Sequence, residues 1–300
     1  MTFEFNRYRF HFRAAGTLYF PPGKAGNTAR GAFGGIFRGL VCLPGCLKVK
    51  TCEVRSACPY ARIFSPQASP GEGPSGLMDR PRPFVFRASH LDGCTIREGE
   101  TFNFDVHLFN VNDNALSYFI EAFAQLGKEG LGPGRGRAEL IAVEQLDELG
   151  LTAARQIELK LGADYERVTR LRVRFITPTE LKSGSEIAGR PEFGILFARL
   201  RDRISTLRAL YGAGPLEIDF RTMGEAATAV RMTRCEITQT EIERRSSRTG
   251  QRHPLGGFTG EAEYEGELGA FVSYLRLGKW VGVGRQTVWG KGEIEVTLEN

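Results

Sequence analysis

The chain has 300 residues, 41% hydrophobic and 25% charged, with 40 Lys and Arg against 35 Asp and Glu for a formal net charge of +5. That length can bury two ordinary cores without disulfide staples. No apolar run approaches the roughly 18 residues of a membrane span, and the N-terminus alternates like a strand where a signal peptide would be apolar, so the expectation is a cytoplasmic protein with no membrane partner.

The basic residues are 32 Arg and 8 Lys. Arginine's planar fork suits phosphates and stacked bases, but a GC-rich genome produces the same excess, so placement has to decide. Residues 8–13 alternate with period two. Tyr8, Phe10 and Phe12 point one way, and Arg9, His11 and Arg13, with Arg7 before them, point the other. A loop of Pro and Gly at 21–27 leads to a helix over 28–41, with Phe33, Ile36, Phe37 and Leu40 as its apolar stripe and Arg30 and Arg38 off it. Residues 64–82, rich in Pro, Gly and Ser, read as a long loop. Strands at 83–88 and 101–109, a helix at 116–126 and a strand at 138–143 complete a first module.

A second module opens as the first does. Leu171, Val173 and Phe175 alternate with Arg170, Arg172 and Arg174. Helices follow at 192–211 and 219–232, strands at 235–243 and 257–265, a helix at 267–277 and a last strand. Two opening strands, each with a row of cations on the open face, point to RNA or DNA. Allowing for one extra helix, both modules read β-α-β-β-α-β. That is the ferredoxin-like order, in which helices cover one sheet face and leave the other free. The fold expected is α+β, in tandem ferredoxin-like domains over 1–150 and 165–300, with a Cys-rich insertion at about 41–82 in the first.

The modules also end alike. Each has an apolar helix, Leu-Gly-Lys, a glycine-rich loop bearing Arg, and a strand. The first loop contains Gly130, Gly132, Gly134, Arg135 and Gly136; the second contains Gly282, Gly284, Arg285, Gln286, Gly290, Lys291 and Gly292. Half a chain separates them, as in a duplicated module. Such a loop either turns N–H groups and cations toward a phosphate or makes a tight helix-to-strand turn. A basic stretch with Arg244, Arg245, Arg248 and Arg252 around His253 adds further candidates for RNA contact.

Cys42, Cys46, Cys52 and Cys58 fall within 17 residues, spaced C-x3-C-x5-C-x5-C. Four soft ligands would suit a structural zinc ion or an iron–sulfur cluster that pins an insertion with little core of its own. Buried free thiols and disulfides are the alternatives, the latter against the reducing compartment expected.

Taken in order, the residues 282–292 of form G-x-G-x5-G-x-G, the helix start at 29–34, Cys58-Pro59-Tyr60-Ala61-Arg62-Ile63-Phe64, Arg82-Pro83-Phe84, Phe175-Ile176-Thr177-Pro178-Thr179 and Leu255-Gly256-Gly257-Phe258-Thr259-Gly260 resemble the CRISPR-associated RAMP superfamily. Within it the chain is similar to the endoribonucleases that cut precursor CRISPR RNA, over nearly its whole length. The resemblance implies two ferredoxin-like domains, a CRISPR repeat as partner, and metal-independent attack of a ribose 2′-OH on its own 3′ phosphate to give a 2′,3′-cyclic phosphate. Relatives often keep a histidine in or near the first helix; here 25–41 contain none.

The catalytic candidates are therefore His11, on the polar face of the first strand among arginines that would keep it neutral, and Tyr19 and Lys24, beside the loop where relatives keep catalytic groups. Each has an ordinary structural alternative: a surface histidine, a strand-end aromatic, a solvated lysine. The expected activity is pre-crRNA processing. Its rivals are a non-catalytic RAMP subunit that holds crRNA among other effector subunits, and a metal-pinned protein–protein adaptor with no RNA role. A homodimer is compatible with any of them.

Overall fold

The structure is a computed structural model that describes residues 1–42, 46, 57–66, 80–111, 114–162, 168–245, 252–254 and 256–299. Cys52 and Arg248 lie outside the described residues, as do the side chains of Arg245 and His253. The chain forms two compact units, Glu4–Ile157 and Glu158–Asn300, the latter joined by Met1–Phe3.

The first unit runs β1 (Thr2–Ala14), α1 (Ala25–Val41), β2 (Phe84–Arg87), β3 (Thr101–Leu108), α2 (Ala115–Glu129) and β4 (Ala138–Leu146). Its antiparallel sheet has the order β2-β3-β1-β4, the ferredoxin-like arrangement. Phenylalanine dominates the layer between sheet and helices. Phe10, Phe12 and Phe104 from the strands meet Phe33 of α1 and Phe119 and Phe123 of α2, with Phe33–Phe119 centroids at 4.7 Å and Phe10–Phe123 at 4.9 Å. Helix α1 starts at Ala25, earlier than its sequence pattern. The Ala25 amide donates to the Asp92 carboxylate at 2.8 Å, a cap from a residue distant in sequence.

The second unit runs β5 (Arg170–Thr179), α3 (Phe193–Tyr211), α4 (Phe220–Ala229), β6 (Arg231–Thr240), β7 (Gly257–Glu265), α5 (Val272–Val281) and β8 (Ile294–Glu299), with sheet order β6-β7-β5-β8. Leu171, Val173 and Phe175 are buried beneath the helices, where Phe197 meets Phe271 at 4.6 Å. Asp219 caps α4 through the amides of Arg221 and Thr222. That helix stops at Ala229, short of the 232 expected, because Arg231 already pairs with Glu265 of β7 in the sheet. The tandem ferredoxin-like α+β reading holds. No described helix is long and apolar enough to cross a membrane.

Candidate RNA-binding and cleavage surfaces

The open face of β1 carries the expected basic row, but other strands answer it. Arg7 and Arg9 both grip Asp105 of β3, at 2.7 Å each. Asp105 is 6% exposed. Burial pushes its pKa up, but the hydrogen bond from Arg9, the charge and hydrogen bond of Arg7, and the nearby His107 outweigh that and hold it below the ordinary carboxylate range. The ionisable group in contact with His11 is Glu144 of β4, its Oε2 3.0 Å from Nε2, where the sequence suggested arginines. Arg13 is exposed and faces Glu139 in the β1–β4 register.

The second unit departs further from a cation row. Arg170, Arg172 and Arg174 stand opposite Glu265, Glu263 and Glu261 of β7, and Arg170 and Arg174 opposite Glu299 and Glu295 of β8. Arg172 reaches Glu299 at 2.7 Å and Glu263 at 3.2 Å. Arg231 and Arg234 of β6 pair with Glu265, Glu236 and Glu263. This face is a lattice of both signs, whose exposed pairs each contribute under about 1 kcal/mol and present little net field to a polyanion.

Two expected surface cations turn inward. Arg30 is 7% exposed, its guanidinium 4.7 Å from the Phe64 ring centroid, and Lys291 is 3% exposed. Neither presents a surface charge as folded.

The loop 282–292 is built on its own backbone. Gly282, Gly284, Gly290 and Gly292 all have positive φ, and so does Gln286 at 64°. Val283 donates to the Gly292 carbonyl at 2.8 Å, Arg285 to the Glu180 carbonyl at 3.0 Å and Gly292 to the Pro178 carbonyl at 3.2 Å. Those three amides are spent on the protein. The half-exposed Arg285 guanidinium lies on the buried carboxylate of Glu180.

The loop 130–137 repeats this construction. Gly130 ends α2 with its amide on the Leu126 carbonyl, as Gly282 ends α5 with its amide on Gly278. Leu131 donates to the Gly136 carbonyl at 2.8 Å, as Val283 does to Gly292. A Cβ on Gly132 would meet the Tyr19 carbonyl oxygen, and one on Gly284 the Glu180 carbonyl oxygen. Tyr19 and Glu180 thus occupy equivalent places. The loop also brings Tyr19, 44% exposed, next to the first turn of α1, since Thr28 Cγ2 is 3.8 Å from the same position on Gly132. Lys24, half-buried, caps that helix with its carbonyl accepting from Thr28 at 2.7 Å. His11 lies on the open sheet face, in contact with Glu144.

Near the end of α1, Cys42, Cys46 and Cys58 converge. Cys42 is pushed up to about 11 by burial, then by Cys58 and Cys46, with thiol hydrogen bonds to both. All three are free thiols, and among the described residues no three His, Cys, Asp or Glu side chains are arranged to hold a metal ion as they stand. The π-helical turn Tyr60–Phe64 directly follows Cys58 and Pro59. Sequence reasoning missed Asp105, Glu144 and Glu180, because an acidic side chain on a segment distant in the chain leaves no local signal.

Two family models together span most of the chain. Residues 173–294 match the model described as CRISPR-associated endoribonuclease Cas6, and 3–162 match one described as an N-terminal domain. A product complex of a Cas6 from Thermus thermophilus is similar at TM-score 0.56 and 16% identity, covering 98% of this chain and 99% of that one. A second Cas6 product complex is similar at 0.54 and 16%, covering 99% and 100%. A chain of a partial Cas6-RT-Cas1–Cas2 complex is similar at 0.57 and 12%, covering 99% of this chain and 46% of that one. At these identities the likenesses speak for the fold. No curated protein matches the sequence.

Proposed function

We propose that the chain, whose residues 173–294 match the Cas6 model, is a cytoplasmic endoribonuclease of that family that binds precursor CRISPR RNA and cuts it within the repeat. What carries the reading is the loop 282–292. The Cas6 model spans it, and it projects Arg285 half-exposed from a backbone with four positive-φ glycines. RNA, and through it other CRISPR proteins, are the partners proposed.

The chemistry proposed is in-line attack of a ribose 2′-OH. A base takes the 2′ proton, the O2′–P bond forms, the P–O5′ bond breaks, and an acid delivers a proton to O5′. The product is a 2′,3′-cyclic phosphate with a 5′-OH, and nothing is oxidised or reduced. His11 is assigned as base, held through Nε2 by Glu144 as third groups orient bases elsewhere. Tyr19 is assigned as acid and Lys24 as the cation beside the phosphorane. Arg285, Arg9 and Arg13 are assigned to the RNA backbone.

Incubation with a cognate repeat RNA in chelator tests this. A cyclic phosphate end made without divalent ions is the expected product. Tight RNA binding with no cleavage would favour the non-catalytic RAMP subunit, which the lack of a histidine in α1 also supports. Binding without salt dependence would favour the adaptor, because phosphate contacts release counterions.

A structural metal in the first unit is the second part of the proposal. Its support is the convergence of Cys42, Cys46 and Cys58; thiolates of this kind take zinc or an iron–sulfur cluster.

A further inference from the structure

We infer that the loop 130–137 of the first unit is a second RNA-backbone site, taking single-stranded RNA with one phosphate at Arg135 and Arg137 and an adjacent base against Tyr19. The inference rests on the RNA-binding function proposed above and adds to it a backbone site on the glycine-rich loop of the first unit.

Arg135 and Gln286 are the two non-glycine residues with positive φ among the described residues, and they lie in the two equivalent loops. Arg135 has φ 48° and sits between Gly134 and Gly136. A third glycine there would adopt that backbone without strain, so the side chain is kept against a conformational cost. Its packing explains little of this. Arg135 is exposed; its guanidinium makes one long hydrogen bond, 3.3 Å, to the Glu129 carbonyl, while its amide donates to the Gly132 carbonyl at 3.1 Å.

The electrostatics separate the two loops. In the second unit Glu180 lies under the loop and its carboxylate meets Arg285. The equivalent place in the first unit is held by Tyr19, an exposed aromatic with no charge to give. Among the described residues neither Arg135 nor Arg137 has a carboxylate partner. The acidic side chains flanking the loop are Glu129 and Glu139, and Glu139 stands opposite Arg13 across the sheet. The Ala15 amide on the Arg137 carbonyl, 2.8 Å, ties the loop to the end of β1, where Arg13 is exposed. Cations with an aromatic platform beside them, on a short rigid loop, fit an RNA strand: the cations follow the phosphates and the ring accepts a base of any identity. A protein partner would need apolar area, and Pro133 to Arg137 offers almost none.

The test uses the full-length chain and single-stranded RNA, both the cognate repeat and an unrelated sequence, with affinity followed across salt. Arg135→Gly with Arg137→Ala should weaken both RNAs alike and flatten the salt slope by about 0.7, the share of one phosphate contact to a single strand. Arg135→Gly alone should leave the thermal midpoint unchanged or raised, because glycine suits the left-handed backbone. Arg135→Lys should recover part of the slope. Combined with Arg285→Ala, the losses should add, as for separate sites. An unchanged slope in a folded double variant would overturn the second site while leaving RNA binding standing. A parent chain that binds neither RNA would overturn both.

Discussion

The Nε2 of His11 lies 3.0 Å from Oε2 of Glu144, across two strands more than 130 residues apart in the chain. A histidine oriented by a carboxylate on one nitrogen leaves the other free to take a proton. His11→Ala should therefore lower the cleavage rate by about 10²-fold with little change in RNA affinity, a typical general acid–base contribution. Glu144→Gln, which keeps an acceptor at the same place, should cost less than Glu144→Ala. Single-turnover rates with saturating enzyme would read both. A parental rate in His11→Ala removes it from the mechanism.

Tyr19 and Lys24 share the corner formed by the loop 130–137 and the first turn of α1. Tyr19→Phe removes the phenolic proton but keeps the ring. It should lower the rate by about 10²-fold if that proton reaches O5′, while RNA affinity holds because the stacking surface remains. Lys24→Ala should lose less, since arginines nearby share the charge on the phosphorane. A Tyr19→Phe enzyme at the parental rate would leave Tyr19 only the stacking role.

Gly292 and Gly31 should respond in opposite senses to alanine. At Gly292 φ is 67°, and a Cβ would press into the Val283 carbonyl oxygen, whose residue also closes the loop through its amide. The left-handed penalty is about 1–2 kcal/mol before the clash is added, so Gly292→Ala should lose at least about 2 kcal/mol in denaturant melts. Gly31 lies within α1 with open space where its Cβ would be, and Gly31→Ala should gain about 0.5–1 kcal/mol. A neutral Gly292→Ala would mean that the loop refolds freely around it.

Much of this fold was legible because its signals are local. Alternation in β1 and β5, an apolar stripe in α1 and glycines at both helix ends each depend on a few neighbouring residues. The duplicated loop could be read for the same reason, and Gly130 and Gly282 do end their helices alike. What faced the arginines could not be read. Arg172 meets Glu263 and Glu299 only once β7 and β8 flank β5 in register. Asp105 and Glu144 reach β1 the same way. Burial of Arg30 and Lys291 also escaped, since neither a cation off an apolar stripe nor one in a glycine-rich loop signals that another segment will cover it. The early start of α1 depended on Asp92, a cap no local window contains.

The thiols at the end of α1 should act together. Protein purified without chelator should carry close to one zinc, or a coloured iron–sulfur cluster, per chain. Cys42→Ser or Cys58→Ser should lose it along with thermal stability, while Cys94→Ser, whose thiol donates to the His90 carbonyl, should keep it. Metal analysis of the three proteins decides the matter. Metal-free parent protein with the same melting temperature before and after added zinc would leave these as free thiols.

Acid should weaken the first unit through Asp105. Its side chain is 9% exposed and bound by Arg7 and Arg9, whose own side chains are 14% and 29% exposed. The folded pKa lies below that of an unfolded aspartate, near 3.9, so the unfolded chain binds the proton more readily. The stabilisation is complete above that unfolded value and is lost as pH falls toward and through the folded one. Asp105→Asn should remove it at every pH. Because it leaves two largely buried guanidinium groups facing a neutral amide, the cost at pH 7 should be about 3 kcal/mol. The gap between parent and variant should narrow below about pH 4 as the parent's own carboxylate is protonated. Urea melts from pH 7 to pH 3 would trace this, and a gap that stays constant down to pH 3 would show that Asp105 contributes by shape and not by charge.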